Sequence, residues 1–259
     1  MQTVLFHSTI FGPIHSRRLG ISLGINLMPN DGKVCSFDCL YCEAGFNAQG
    51  HGHDSIPSRE SVKRQLKKKL ETMKEAGEGL DVITFSGNGE PTLHPHFNEV
   101  VHDVIMLRDR YYPEAKVSVL SNATMAGKKS VMEALKLVDN NILKLDSAVA
   151  ATMTALNRPT SPHVIPQGVI ADLKQYQGQC IVQTMMLRGD YDGHHIDNTT
   201  PAEVEALIEA YREIEPREIM LYSIDRKTPA EGLIKIEMDE LKAIGQHIQD
   251  STGIPVQVN

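Results

Sequence analysis

The chain has 259 residues, of which 41% are hydrophobic and 23% are charged. These proportions are typical of a globular protein and exclude collagen-like, disordered and transmembrane chains. A formal net charge of -7 at pH 7 argues against a dedicated nucleic-acid-binding protein, although a local basic patch would still allow such binding. No segment approaches a membrane span, and the N-terminus lacks the features of a signal peptide, so we expect a cytoplasmic protein with no membrane association.

Short apolar runs alternate with amphipathic segments along the chain, which predicts repeated βα units and a parallel sheet. Six strands are predicted, at 21–27, 81–85, 116–120, 142–146, 180–186 and 218–222. Six helices are predicted, at 58–75, 96–110, 126–138, 163–177, 200–214 and 237–251. Six units are too few for a closed eight-stranded barrel, so the expected fold is α/β with a partial (β/α)6 barrel. No linker divides the sequence, and we expect one domain over 1–259.

The cysteines are the first sign of chemistry, because three of the four lie within eight residues, as Cys35, Cys39 and Cys42. Such crowding indicates a shared role, and binding a metal is the natural one for thiolates. A zinc site takes four ligands and would have to use Cys180 or a histidine such as His51 or His53. A 4Fe-4S cluster also takes thiolate ligands, and three thiolates on one loop would leave one iron open.

The stretch CSFDCLYC, with an aromatic residue before its last cysteine, resembles the CxxxCxxC motif of the radical S-adenosylmethionine (radical SAM) superfamily. The resemblance implies that Cys35, Cys39 and Cys42 bind a 4Fe-4S cluster whose fourth iron binds the amino and carboxylate groups of SAM. It also implies that Tyr41 lies near the adenine of SAM. The fold it implies is the partial (β/α)6 barrel of radical SAM enzymes, over a core of about 12–225 with a C-terminal helix and strand extension.

A second segment resembles the same superfamily. The predicted strand 81–85 runs into Ser-Gly-Asn-Gly-Glu-Pro-Thr at 86–92, at the end of the strand where α/β barrels carry their active sites. This segment is similar to the GGEP motif of the family, which contacts the amino group of SAM, and the similarity assigns that contact to Gly89 and Glu90. Asn88 departs from the motif, because it stands where a second glycine is expected.

Polar side chains also stand at the ends of two later predicted strands. Ser121 and Asn122 resemble the residues that hydrogen-bond the SAM ribose, and a helix-capping or turn pair is the alternative. Lys144 and Asp146 point to one face of the strand 142–146, because side chains alternate along a strand. Buried charges need partners, so we expect these two candidate catalytic residues to contact each other, SAM or the substrate, with a structural ion pair as the alternative.

Two stretches resemble one branch of the superfamily, the Fe-S oxidoreductases related to wybutosine synthesis. They are GPIHSRRLG at 12–20 and SGNGEPTLHPHF at 86–97. Arg17 and Arg18 in the first stretch are candidates to bind a carboxylate or phosphate of the substrate, and exposed arginines without such a role are the alternative. Three other side chains near the ends of later elements are further candidates for substrate contact: Arg158, Tyr222 and Arg226.

The resemblance implies an oxidoreductase of unknown substrate. A flavodoxin-like or ferredoxin-like donor would reduce the cluster, and SAM would be cleaved to methionine and a 5′-deoxyadenosyl radical that abstracts hydrogen from a small molecule or a modified nucleoside. Two other functions stay open at this point. One is an activase that acts on a partner glycyl-radical enzyme, and the other is a non-catalytic module stabilised by an Fe-S cluster or zinc.

Overall fold

The strands of the protein form one sheet in the computed structural model, which describes residues 4–16 and 20–259. In chain order the strands are β1 (Ile10–Ser16), β2 (Gly20–Ile25), β3 (Val82–Phe85), β4 (Lys116–Ser121), β5 (Asn140–Lys144), β6 (Ile181–Tyr191), β7 (His194–Asp197), β8 (Glu218–Ser223), β9 (Leu233–Lys235) and β10 (Val256–Val258). The α-helices of the same residues are α1 (Arg59–Glu75), α2 (Phe97–Tyr111), α3 (Lys129–Leu135), α4 (Ala150–Asn157), α5 (Pro166–Lys174), α6 (Pro201–Ile214) and α7 (Met238–Thr252).

The sheet is mostly parallel and does not close. Its order is β1-β2-β3-β4-β5-β6-β8-β10. β1 pairs antiparallel with β2, and each later pairing along this path is parallel. The six predicted strands are β2, β3, β4, β5, β6 and β8, so the predicted open α/β barrel is confirmed. The second half of β6 continues past the parallel sheet and pairs antiparallel with β7 and β9.

Helix α1 illustrates how the sequence produces these layers. Ser58 accepts a hydrogen bond from the backbone N–H of Ser61, which satisfies one of the free donors at the start of the helix. Apolar residues then recur every three or four positions and form the buried stripe, at Val62, Leu66, Leu70 and Met73. Burying each such side chain contributes about 1.5–3 kcal/mol, so this stripe is what holds α1 against its neighbours.

Two differences from the predicted elements have local causes. The predicted strand 21–27 ends at Ile25, because the Asn26 side chain accepts the N–H of Met28 and donates to the carbonyl of the same residue, which turns the chain. Helix α4 was not predicted, since its sequence AATMTALN has no strong amphipathic pattern. None of the helices in the described part of the chain has the length and hydropathy needed to span a bilayer.

Candidate functional site

The cysteine loop, residues 35–42, follows β2 at the edge of the sheet where the carboxyl ends of the parallel strands meet. All three of its cysteines are free, and they are buried or half-buried. On one side the loop is held by the segment that follows β3. Val34 donates its N–H to the carbonyl of Asn88 at 3.0 Å and accepts the N–H of Glu90 at 3.0 Å. The residue directly before the cysteine motif is therefore in backbone contact with the GGEP-like motif.

The other side of the cysteine loop is held by the end of α4. The N–H of Leu40 donates to the carbonyl of Leu156 at 3.0 Å, and the N–H of Asp38 donates to that of Asn157 at 2.9 Å. These contacts join residues that are more than one hundred positions apart. The loop is thus fixed from both sides by backbone hydrogen bonds.

Two asparagine amides donate hydrogen bonds to cysteine sulfurs. Asn122 Nδ2 lies 3.5 Å from Cys35 Sγ, and Asn157 Nδ2 lies 3.4 Å from Cys39 Sγ. Hydrogen bonds to the sulfurs are one of the ways in which a protein stabilises an Fe-S cluster and sets its potential. The sulfurs thus lie among donors suited to an anionic cluster.

Lys33 adds a positive charge to the same loop. Only 2% of this lysine is exposed, and its Nζ donates to the carbonyl of Gly45 at 2.7 Å and lies 3.5 Å from Asp38 Oδ1. Burial acts most strongly on its pKa and lowers it, but the charges of the nearby acidic groups outweigh burial and raise the pKa overall; these groups are Cys42, Cys35, Cys39 and Asp38. Sequence reasoning missed Lys33, because nothing local distinguishes it from a surface lysine.

The thiols themselves are poor acids in this environment. Burial is the main cause that raises the pKa of Cys35 to about 12 and that of Cys39 to about 11. At neutral pH such thiols keep their protons unless a metal centre binds the sulfur and displaces the proton, because the thiolate is the metal-binding form. Three thiols, two amide donors and one buried cation fit a 4Fe-4S cluster held by Cys35, Cys39 and Cys42.

The other ligands considered for zinc lie elsewhere. Cys180 is buried directly before β6, at the amino end of that strand and hence at the opposite edge of the sheet. The His51 ring lies 3.2 Å from the carbonyl of Lys33. Within residues 4–16 and 20–259, no three His, Cys, Asp or Glu side chains gather closely enough to hold a single metal ion. A cubane cluster distributes its cysteines over separate iron atoms and does not need such convergence.

Glu90 is a buried carboxylate, only 1% exposed, with four protein donors. Its Oε1 accepts hydrogen bonds from the N–H and the hydroxyl of Thr92 at 3.0 and 2.6 Å and from the hydroxyl of Ser121 at 2.9 Å. Its Oε2 accepts the N–H of Asn122 at 2.6 Å. Burial raises the pKa of Glu90 and outweighs these hydrogen bonds, which lower it. No cationic side chain of the described residues forms an ion pair with Glu90.

The neighbours of Glu90 explain the rest of the motif. Gly89 has a φ of +142°, and a Cβ at this position would overlap the carbonyl oxygen of Val34, so the close approach of the cysteine loop requires glycine here. Asn88, the departure from the motif, is fully buried. Its side chain accepts the N–H of Phe6 at 2.8 Å and donates to the carbonyls of Phe6 and Pro29 at 2.9 and 2.8 Å. It therefore holds the segment before β1 in place.

Ser121 and Asn122 follow β4 and face this carboxylate. The Ser121 hydroxyl also accepts the N–H of Ala123 at 3.0 Å, and Asn122 Oδ1 accepts the N–H of Thr124 at 3.0 Å. These are the turn bonds that the alternative interpretation anticipated. Asn122 in addition donates to the hydroxyl of Ser36 at 2.9 Å, so it contacts the cysteine loop twice. Contact of either residue with a ribose stays a prediction.

Asp146 lies just past the end of β5, with a side chain that is 0% exposed. It accepts hydrogen bonds from the Tyr41 hydroxyl, from Asn157 Nδ2 at 2.6 Å and from the N–H of Met185 at 2.9 Å. Lys144 Nζ lies 3.6 Å from Asp146 Oδ1. Because Tyr41 belongs to the cysteine loop, Asp146 connects this loop to β5 and β6.

Lys144 is enclosed by aromatic side chains as well as by its acidic partner. Its side chain is 15% exposed, and its Nζ lies 5.1 Å from the ring centre of Tyr41 and 5.5 Å from that of Tyr222. It also donates to the Tyr222 hydroxyl at 2.9 Å. Burial acts most strongly on its pKa and lowers it, but Asp146, Tyr222 and Cys39 raise the pKa of Lys144 overall, so the ammonium form is favoured.

Arg158 ends α4 in a left-handed conformation with a φ of 48°. Its guanidinium lies between the rings of Phe46 and Tyr191, 5.0 and 5.7 Å from their centres, and its Nη2 is 3.5 Å from Asp38 Oδ2. Its Nη1 is buried without a hydrogen-bond partner among the described residues. Arg158 borders a cavity of about 190 Å³ whose other lining residues are Ala155, Tyr191, Asp192, His194 and Ile196.

Two of the remaining substrate candidates, Arg226 and Tyr222, do not line this cavity. Arg226 is exposed and forms an ion pair with Glu43 at 2.6 Å. Arg17 and Arg18 lie outside the described residues. Tyr222 instead faces Lys144, so the structure groups Tyr222 with Lys144 and Asp146 rather than with Arg158.

Comparison with known proteins agrees with this geometry. Residues 30–151 match the profile of the Radical SAM superfamily, and this stretch carries the three cysteines and Glu90. A UPF0026 protein of Synechocystis sp. is 30% identical over 251 residues, which cover 95% of this chain and 82% of that protein. A UPF0026 protein of Helicobacter pylori strain J99 is 27% identical over 234 residues, which cover 90% of this chain and 71% of that protein.

Solved structures share the fold at low sequence identity. A radical SAM methyltransferase from Sphaerobacter thermophilus gives a TM-score of 0.64 at 16% identity, over 92% of this chain and 65% of its own. Streptococcus suis SuiB bound to S-adenosylmethionine gives a TM-score of 0.63 at 15% identity, over 91% of this chain and 50% of SuiB. TYW1 with a lysine-pyruvate adduct gives a TM-score of 0.59 at 15% identity, over 88% of this chain and 73% of TYW1. The chain therefore spans about half the length of SuiB and two thirds of that of the methyltransferase.

The profile match, the open parallel sheet and the cysteine loop define a radical SAM protein, as the sequence predicts. At 15% identity, the structural likeness to TYW1 is a likeness of fold. Within the superfamily the chain belongs to the UPF0026 proteins.

Proposed function

We propose that the protein is a radical SAM enzyme that cleaves SAM reductively and uses the resulting radical to abstract hydrogen from a substrate. A 4Fe-4S cluster held by Cys35, Cys39 and Cys42 would supply one electron to SAM, yielding methionine and a 5′-deoxyadenosyl radical that becomes 5′-deoxyadenosine. The electron would come from a flavodoxin-like or ferredoxin-like partner. The observation that supports the proposal most is the buried carboxylate of Glu90 beside the cysteine loop, which has no cationic partner within residues 4–16 and 20–259.

Glu90 is proposed to bind the ammonium group of SAM. A buried carboxylate is costly without a positive partner, even when neutral donors surround it. Thr92, Ser121 and Asn122 fix the carboxylate in one orientation, because they occupy both of its oxygens. A ligand ammonium beside Glu90 would gain a charge-assisted hydrogen bond and would offset the cost of burying the carboxylate.

Tyr41 is proposed to contact the adenine of SAM, as the family resemblance implies. Its hydroxyl is fixed by Asp146, and Lys144 lies over its ring, so the ring has little rotational freedom. A fixed ring gives a planar surface whose position does not have to be ordered when a ligand binds. In this proposal Lys144 and Asp146 orient Tyr41 and the cysteine loop.

Arg158 is proposed to bind an anionic group of the substrate, a carboxylate or a phosphate. A guanidinium presents a fork of N–H donors that matches these groups, and one of its nitrogens is buried without a partner among the described residues. The two flanking rings restrict the guanidinium to one plane. Asp38 belongs to the cysteine loop and lies 3.5 Å from Arg158 Nη2, so a substrate held by Arg158 would lie beside that loop.

The proposal is tested by anaerobic reconstitution with iron and sulfide, reduction with dithionite and addition of SAM. We expect methionine and 5′-deoxyadenosine to form in equal amounts. Cys35→Ala should abolish both products, and Cys180→Ala is the matched control that should leave them unchanged, because its side chain lies at the opposite edge of the sheet. If a protein that holds one cluster per chain formed no 5′-deoxyadenosine, that result would contradict the proposal. A stable glycyl radical on an added partner enzyme would identify an activase instead.

A further inference from the structure

Lys33 is buried in the cysteine loop in a way that its ion pair alone does not explain. Lysine is almost never fully buried unless it is paired. Its acidic neighbour, Asp38, lies 3.5 Å away, whereas the carbonyl of Gly45 accepts its hydrogen bond at 2.7 Å. The backbone of Lys33 is also fixed, because its N–H donates to the carbonyl of Gly50 at 3.2 Å. The ammonium group is therefore held at one place inside the loop.

Asp38 does not neutralise Lys33 alone. Asp38 Oδ2 also lies 3.5 Å from Arg158 Nη2, and its Oδ1 accepts the N–H of Asn47 at 2.6 Å. Two cations thus share the one carboxylate of Asp38, so Lys33, Arg158 and Asp38 together carry a net charge of +1. Lys144 differs, since the buried Asp146 is its own acidic partner.

We propose that Lys33 holds a fixed positive charge beside the cluster bound by Cys35, Cys39 and Cys42. This charge raises the reduction potential of the cluster. The inference rests on the proposed function, because it requires that cluster. Reduction adds one electron, supplied by the chemical reductant, and makes the cluster more negative by one unit. A fixed positive charge in a poorly solvated site stabilises the more negative state, so its removal must lower the potential.

Redox titration of the reconstituted protein, followed by the electron paramagnetic resonance of the reduced cluster, tests this without SAM or turnover. Lys33→Met replaces the charge with a side chain of similar length. At a fixed potential we expect the ratio of reduced to oxidised cluster to fall at least tenfold, which is about 59 mV for a one-electron couple. Lys33→Arg keeps the charge and should stay close to the unsubstituted protein. Iron and sulfide content is measured for every variant.

Asp38→Asn is the control that distinguishes an effect of charge on the potential from an effect of damage to the loop. It removes a negative charge and keeps the oxygen that accepts the N–H of Asn47, so the potential should rise. If Lys33→Met does not retain its cluster, Lys33→Gln takes its place, because it also removes the charge but keeps a donor for the carbonyl of Gly45. Equal potentials in all variants, or a fall in both Lys33→Met and Asp38→Asn, would overturn the inference.

The same experiment distinguishes this inference from the proposed function. An unsubstituted protein that binds no 4Fe-4S cluster would overturn both. A cluster whose potential does not respond to Lys33→Met or Asp38→Asn, in a protein that cleaves SAM, would overturn only the role of Lys33. Shifts of the expected sign in a protein that does not cleave SAM would contradict only the proposed function.

Discussion

Two buried carboxylates lie on opposite sides of the cysteine loop, and they make a useful comparison. Glu90 follows β3 and Asp146 follows β5, and both are shielded from water. Each bonds to an asparagine that in turn donates to a cysteine sulfur, Asn122 to Cys35 and Asn157 to Cys39. In their hydrogen-bond partners the two sides are therefore alike.

They differ in how the negative charge is balanced. Asp146 has a cation of its own, Lys144, whose side chain is 15% exposed. Glu90 has only neutral donors among the described residues, and burial raises its pKa. A buried carboxylate that pairs with a cation of the protein is already stabilised in the folded chain. A buried carboxylate without such a cation is stabilised when a cationic ligand binds. From this comparison we propose that Asp146 stabilises the fold and that Glu90 binds the ligand.

The largest effect is expected for Asp146→Ala, which leaves the half-buried Lys144 without its acidic partner. Breaking a buried pair in this way costs about 3–5 kcal/mol, so the free energy of unfolding in urea should fall by that amount. The double variant Lys144→Met with Asp146→Asn removes both charges and should recover part of the loss. An Asp146→Ala protein of unchanged stability that makes deoxyadenosine but no product would place Asp146 at the substrate instead.

A smaller effect is expected on the Glu90 side for Asn88→Gly, which restores the glycine of the family motif. The variant loses the hydrogen bonds to Phe6 and Pro29 and leaves buried polar groups unpaired, which should cost about 1–2 kcal/mol of stability. The affinity of the folded variant for SAM, measured by calorimetry, should not change. Weaker binding at unchanged stability would show that Asn88 acts on the ligand.

The smallest effect is expected for Arg226→Ala. Arg226 pairs with Glu43 on the surface, and exposed pairs contribute at most about 1 kcal/mol. Urea unfolding at low and high salt should show a difference below that value, and it should shrink further as salt screens the pair. A loss as large as that expected for Asp146→Ala would mean that burial does not distinguish the two pairs.

Local patterns in the sequence predicted much of the fold and one side of the site. Short β-branched runs predicted the six central strands, because buried parallel strands favour them. The resemblance of the cysteine spacing to a family motif predicted the three cluster ligands. The GGEP-like segment predicted Gly89 and Glu90 as contacts of SAM. Both predictions were possible because the residues of each motif lie close together in the chain. The site residues remain predictions that the experiments above test.

The rest depends on contacts between distant parts of the chain. Asn157 reaches Cys39 across 118 positions, and Tyr41 reaches Asp146 across 105. No local pattern marks such pairs, because only the folded sheet brings them together. Lys33 was missed for a related reason: its burial depends on how residues 43–50 fold back over the cysteine loop. Asn88 departs from the motif because it holds a segment that precedes β1.

The role of Glu90 is tested most directly by calorimetry of SAM binding to the cluster-loaded protein and its Glu90→Gln variant. Each protein is titrated with SAM and with the analogue that carries hydrogen in place of the α-amino group. Glutamine keeps the size and an acceptor oxygen but removes the charge. We expect Glu90→Gln to weaken SAM binding by about 1.5–3 kcal/mol, the range for hydrogen bonds to charged groups, and to leave binding of the analogue unchanged. An equal loss for both ligands, or no loss for SAM, would contradict the assignment of Glu90 to the ammonium group.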